Sequence, residues 1–247
     1  MRNRYGLRAL IVVLLLALGC SMGVAQIGPR YVIELDATTR VPQTSAGRVQ
    51  LAGKGLALIR FQGLDILTVG ADADAYSAEA VRNWPQADLL LVTPASAGRY
   101  GGLAPLDALG GLPVIMVEPS TNAELGAAVA ADAPRFYPMQ TWGTLHLRKG
   151  KTRLRVTALP GQPGTSHVAG FMLEVGNSWA SYRLYVSCER VGEDEAGLLA
   201  QRLPGADLAL LPAGNTPLLL ALRRETAPPG KPATLTAAGL AFRAIRR

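Results

Sequence analysis

The sequence predicts a mixed α/β (α+β) domain, two sheets with helices on their outer faces, behind a leader for export. Three observations lead there. The first apolar runs of the domain are short and separated by glycine-containing turns, as strands joined in hairpins are. From Ala78 onward, apolar runs alternate with segments of helical character, the rhythm of strand–helix units. Hydrophobic residues make up 49% of the 247 and charged residues only 17%, which supplies a core and argues against a disordered chain.

The leader comes first. Arg2, Arg4 and Arg8 make a basic start, and Ala9–Leu18 is an unbroken apolar run. Gly23-Val24-Ala25 then places small residues where a signal peptidase needs them for a cut before Gln26. The apolar run is short for a bilayer span. The expected layout is a signal peptide over residues 1–25 and a single domain over 26–247, exported to a bacterial periplasm or secreted. Two alternatives stay open: an uncleaved anchor, and a lipid-anchored envelope protein, since Ala17-Leu18-Gly19-Cys20 resembles a bacterial lipobox.

Three of the 25 basic residues belong to the leader and none of the 18 acidic ones, so the rest carries 22 bases against 18 acids, a net +4. The bases are scattered, and the densest groups are Arg148–Arg155, Arg223–Arg224 and Arg246–Arg247. A nucleic-acid binder concentrates them in a stripe, so no nucleic-acid partner is expected, only a solvated basic surface. With Cys20 removed, Cys188 is the remaining cysteine and reads as a buried thiol.

Taken in order, Tyr31–Leu35, Arg48–Leu51, Leu56–Phe61 and Asp65–Val69 read as strands, the last three parted by turns at Gly53–Gly55 and Gln62-Gly63. Ala78–Asn83 suits a short helix, Asp88–Val92 a buried strand, Leu103–Leu109 a helix and Pro113–Val117 a strand. Thr121–Ala131 is helical, with Thr121 and Glu124 in capping-box spacing. Leu145–Leu147, Arg153–Leu159, Phe171–Val175, Arg183–Ser187 and Asp207–Leu211 are strands, and Asp194–Arg202 is a helix. Leu218–Arg224 and Leu235–Ile245 read as helices across a Pro-rich connection at Pro228–Pro232. His146 reads as a packing or edge residue, and Trp84, Trp142 and Trp179 as core or rim aromatics.

One stretch carries more. Leu89–Leu106 reads LLLVTPASAGRYGGLAPL: an apolar strand ending in Thr93, a tight loop, Gly101-Gly102, then a helix. From Thr93 to Gly102 it resembles, without a gap, the T-H-x-H-x-D-H-x-G-G signature of the metallo-β-lactamase superfamily. Val49–Gly55 with Ala57-Leu58-Ile59 resembles the W-x-G-H-x-x-x-L-I opening of the branch that includes ascorbate-phosphate lactonases, with Lys54 at its His position. Asp65–Val69 is similar to the I-L-x-D-P strand, and Ala158–Pro163 to A-x-P-G-x-H. Arg183–Arg190 resembles R-x-x-Y-x-G-D-T, and Asp207–Pro212 the following D-v-a-l-l-P strand. The matches run in family order over residues 47–215 and imply a four-layer αβ/βα sandwich.

The resemblance also implies a two-metal site, and there the chain departs from it. Pro94, Ser96, Gly98 and Arg99 stand at the His, His, Asp and His positions of the loop, and Pro163 at the fourth His position. Glu189 falls on the bridging carboxylate, and no His follows His167 to supply the last ligand. Such a site needs several imidazoles and carboxylates, whereas Arg99 would put a fixed positive charge in the cation's place. The expectation is therefore no metal and no cofactor: a pseudoenzyme that binds a small molecule or an envelope protein, touching membrane only through its leader or a lipid on Cys20. Two placements stay open for Arg99 and Glu189: a pair that replaces the metal's charge, or two surface residues facing solvent. One alternative is a hydrolase of esters, lactones or phosphodiesters with an atypical site of Ser96 as nucleophile, His167 as base and Glu189 as orienting acid, although Ser96 lacks the G-x-S-x-G elbow. Another is an assembly module of the cell envelope.

Overall fold

The computed structural model describes residues 32–36, 46–70, 73–93, 103–118, 135–161, 166–177, 179–223 and 231–246. The leader and the expected helix over Thr121–Ala131 lie outside the described residues. The described strands, numbered along the chain, form two mixed sheets.

The eight-stranded sheet begins with β1 (Ile33–Glu34) and continues through β8 (Thr144–Lys149), β9 (Thr152–Pro160), β10 (Val168–Gly176), β11 (Ser181–Ser187), β12 (Leu208–Leu211), β13 (Leu218–Ala221) and β14 (Ala233–Thr234), in that spatial order. Neighbours pair antiparallel except β1 with β8 and β11 with β12. The seven-stranded sheet runs β15 (Leu240–Arg243), β2 (Ala46–Gly53), β3 (Leu56–Phe61), β4 (Leu64–Gly70), β5 (Leu89–Thr93), β6 (Pro113–Val117), β7 (Arg135–Met139). Its first half is antiparallel and its second half, from β4 to β7, parallel.

Patterning explains which face each strand shows. Every residue of β5 is buried, as a strand covered on both faces requires. On β9, Thr152, Leu154, Val156 and Ala158 are buried while Arg153 and Arg155 are exposed, the period-two pattern of a sheet with one face packed. Three apolar clusters define the layers. The largest lies between the sheets, with Ile59, Leu91, Val156, Phe171 and Leu184 among its members. A second joins the outer face of the seven-stranded sheet to Tyr76 and Trp84, which flank α1 (Ala78–Val81), and to a short 3-10 helix (Ala104–Leu109) through Leu106. A third packs α2 (Glu193–Arg202) by Ala196 and Leu199 onto Tyr185, Ala209 and Leu220. The result is the four-layer αβ/βα sandwich that the sequence leads one to expect.

Two expected helices are strands. Leu218–Arg224 contains β13, which pairs with β12, and Leu235–Ile245 contains β15, which pairs with β2. Both complete a sheet, and ladder hydrogen bonds with burial outweigh the helix preference of Leu and Ala. The edge strand β7 has no counterpart in the sequence reading; Pro138 within it suits an edge, where one backbone donor is dispensable. The helix expected over Leu103–Leu109 is the 3-10 turn.

Polar ties hold the sheets at the end where β5 begins. Asp88 accepts from Lys149 Nζ at 2.7 Å across the sheets and from the Asp65 N–H at 2.8 Å. Burial, only partly countered by Arg60, raises the Asp65 carboxyl above its usual range.

On the outer face of the eight-stranded sheet a charged row crosses β8 to β11: His146, Arg155, Glu174 and Arg183 are successive cross-strand partners. Burial alone would raise the Glu174 carboxyl, but Arg155, Arg183 and the Ser181 hydroxyl together hold it below its usual value. A depressed folded-state pKa contributes stability above the unfolded value and loses it as pH falls through the folded one. Glu174→Gln is therefore expected to cost about 1–2 kcal/mol at pH 7, since the pairs are partly exposed. Urea melts of both proteins from pH 7 down to acid should show the difference closing once the wild-type carboxylate protonates.

Candidate functional site

Sheet pairing brings the sequence motifs to one end of the sandwich. In the seven-stranded sheet the Lys54-Gly55 turn lies beside the end of β4, since Leu56 pairs with Val69, and Gly70 pairs with Thr93 at the end of β5. In the eight-stranded sheet Pro160 pairs with Val168 and Gly170 with Ser187, which aligns the end of β9, the start of β10 and the end of β11. Val186 pairs with Leu210, so β12 ends there too.

A backbone bond joins the two sheets at this end: the Gly55 N–H donates to the Asn215 carbonyl at 2.7 Å. Asn215 Nδ2 also donates to Asp74 Oδ2 at 2.7 Å. Gly55 has φ +71°, and a Cβ there would stand 2.3 Å from the Ala73 Cβ, so the turn fits only glycine. Thr93, at the mouth of the loop, is buried and donates its hydroxyl to the Val69 carbonyl at 3.2 Å.

Within this end His167 Nε2 and Glu189 Oε1 lie 2.5 Å apart, with about half of each side chain exposed. Three local devices bring them together. The register slips between Val168 and Gly170, and the freed Ala169 carbonyl accepts from the Cys188 N–H (2.8 Å) and the Tyr185 hydroxyl (3.1 Å). Gly170 admits that phenol, since a Cβ would stand 2.4 Å from the ring. Ser187 Oγ donates to the Glu189 carbonyl (2.8 Å) and accepts from the Glu189 N–H (3.3 Å), turning the chain as it leaves β11. Cys188 between them is buried, and burial followed by the nearby Glu189 pushes its thiol far above the usual range. That makes it inert, as the sequence suggests.

Pro94, Ser96, Gly98, Arg99 and Pro163 lie outside the described residues, and with them the Arg99–Glu189 pair and the Ser96 end of the atypical site. His167 and Glu189, separate in sequence, are in contact. Lys54 is exposed at the turn. His146 sits half-buried on β8, its pKa lowered by burial and then by Arg155. Trp84 packs into the rim and donates Nε1–H to the Ala75 carbonyl at 3.1 Å. Trp142 and Trp179 are 69% and 77% exposed, which removes both from the core.

The donor set does not fit a two-metal centre. No group of three or more His, Cys, Asp or Glu converges among the described residues. The two ligating side chains placed at this end of β10 and β11 are bonded to each other. The remaining family positions hold proline, serine, glycine and arginine, of which only the serine has a side-chain oxygen and none an imidazole or carboxylate.

No family model matches the chain, and no curated protein matches it. Solved structures do. A B3 metallo-β-lactamase with an active-site glutamic acid is 16% identical over 79% of this chain and 82% of its own, with a TM-score of 0.39. CmlA, a diiron β-hydroxylase from Streptomyces venezuelae, is 16% identical over 67% of this chain and 34% of its own, at 0.38. A subclass B3 metallo-β-lactamase from a soil metagenome library is 15% identical over 70% and 77%, also at 0.38. These neighbours share the metallo-β-lactamase fold; at such scores they say nothing about what this chain does.

Proposed function

We propose that the chain is an exported, metal-free pseudoenzyme of the metallo-β-lactamase superfamily that binds a small molecule or an envelope protein at the end of its sandwich that holds His167 and Glu189. The observation that carries this reading is the His167–Glu189 contact: the carboxylate at the bridging position engages an imidazole, and no group of three or more His, Cys, Asp or Glu gathers among the described residues. The ordered motifs of residues 47–215 support the family, and the basic, apolar, small-residue leader supports export. Titrating zinc and manganese while following the melting temperature tests it. No shift is expected with either ion, because a ligand that binds only the folded state must raise the melt. A saturable upward shift would sink the reading.

The same contact favours a second reading, a metal-independent hydrolase. Glu189 on Nε2 leaves Nδ1 of His167 as the ring nitrogen able to take a proton from a nucleophile, the orienting-acid arrangement of a His–carboxylate pair. It requires turnover of a simple ester or lactone that His167→Ala removes; absence of turnover in the unmodified protein ends it.

A further inference from the structure

At the opposite end of the eight-stranded sheet, two hairpins carry an arrangement that the site above does not use. Leu147, Leu154 and Val156 face the core, so the alternate residues Arg148, Arg153 and Arg155 face outward on β8 and β9. Arg148 stands directly opposite Arg153 across the strands, a like-charge pairing that works against the sheet. Lys151 is exposed at the tip of the same hairpin, where Gly150 has φ +58°. Glu34 and Glu174 neutralise Arg148 and Arg155, while Lys151 and Arg153 enter no ion pair among the described residues. Helix α2 packs on Tyr185, Ala209 and Leu220, and among the described residues Lys151 and Arg153 are exposed.

The next hairpin, β10–β11, ends beside this patch, because Gly176 pairs with both Arg153 and Ser181. Its tip holds Trp179, 77% exposed, in a turn fixed by Asn177 Oδ1, which accepts from the Trp179 and Ala180 N–H groups at 2.9 and 3.0 Å. An exposed indole costs solvation of its apolar ring, and the turn holds it outward beside unneutralised cations.

We propose that these two hairpin tips dock the protein on an anionic phospholipid surface, with Trp179 in the headgroup layer and Lys151 and Arg153 on the lipid phosphates. Charge complementarity selects phosphate, which guanidinium groups bind in forks. The indole selects an interface with a wet and an apolar side, where tryptophan concentrates in membrane-bound proteins. A nucleic-acid strand is disfavoured because it calls for a series of stacking aromatics along a basic groove, and here a single indole stands at a flat edge. The proposal is independent of what the opposite end of the sandwich binds.

The test uses the purified full chain, sedimented with phosphatidylcholine vesicles with and without one third phosphatidylglycerol. Binding to the anionic vesicles alone is expected, with a blue shift of tryptophan emission that Trp179→Phe removes and Trp142→Phe leaves. Charge reversal by Arg153→Glu should lower partitioning roughly tenfold or more. Lys151→Glu, at an exposed turn that disturbs no pairing, should lower it in the same direction. Equal partitioning onto neutral vesicles, indifference to these changes, or tighter binding to duplex DNA than to anionic vesicles would overturn it.

Discussion

Phe171→Ala is expected to cost about 3–5 kcal/mol of stability, the largest effect of any single change considered for this chain. Phe171 is fully buried in the middle of β10, between cross-strand partners Ala158 and Val186, and its ring belongs to the cluster that joins the two sheets. Truncation removes that apolar area and leaves a cavity that two sheets cannot easily close, because each is fixed by its own ladder. The expected observable is a fall of about 1–2 M in the urea midpoint with the slope preserved. Since His167 and Glu189 are positioned by the ends of β10 and β11, the same variant should loosen their contact before global unfolding. A change below about 1 kcal/mol would mean that the inter-sheet core is not packed around this ring.

Asp207→Ala is expected to cost about 3 kcal/mol. Asp207 is 1% exposed, yet it lies outside the regular strands, just before β12. Its Oδ2 accepts from the Arg183 N–H at 2.7 Å, and its Oδ1 lies 3.4 Å from an Arg223 guanidinium nitrogen. Its backbone bonds to the Arg183 carbonyl on one side and the Leu222 N–H on the other. This carboxylate therefore ties β11, β12 and the exit of β13, and its removal leaves the Arg183 N–H without its acceptor and takes a carboxylate from Arg223. Arg223 remains about one-third exposed and can turn to water, which keeps the cost below that of a fully buried pair. Asp207→Asn keeps an acceptor for the N–H while losing the charge, so it should cost about half as much. Equal losses for the two variants in urea melts would show that the charge, not the acceptor, holds the junction.

The hairpins were legible because their signals are local. Gly53–Gly55 and Gln62-Gly63 part β2, β3 and β4, and the alternation on β9 fixes its buried face without reference to any neighbour. Strand β13 was not legible, because Leu218–Ala221 is a run of good helix formers whose state is decided by the open edge of β12. Strand β15 likewise becomes a strand by meeting β2, far away in sequence. The site was half legible. His167 and Glu189 could be named from the motifs, but their contact depends on the slipped register at Ala169 and the turn at Ser187, which spacing alone does not encode. The exposure of Trp142 and Trp179 was hidden for a similar reason, since a tryptophan in a turn reads like one in a core until the turn is placed.

The central claim is that the end of the sandwich where His167 meets Glu189 works without a metal, and metal content measures this most directly. The protein should be purified without chelator and its metals quantified by mass spectrometry against protein concentration. The expected result is zinc, manganese and iron well below one ion per chain, unchanged by Glu189→Gln. One or two ions per chain, lost together with thermal stability on chelation or on Glu189→Gln, would contradict the account and restore a metallohydrolase site.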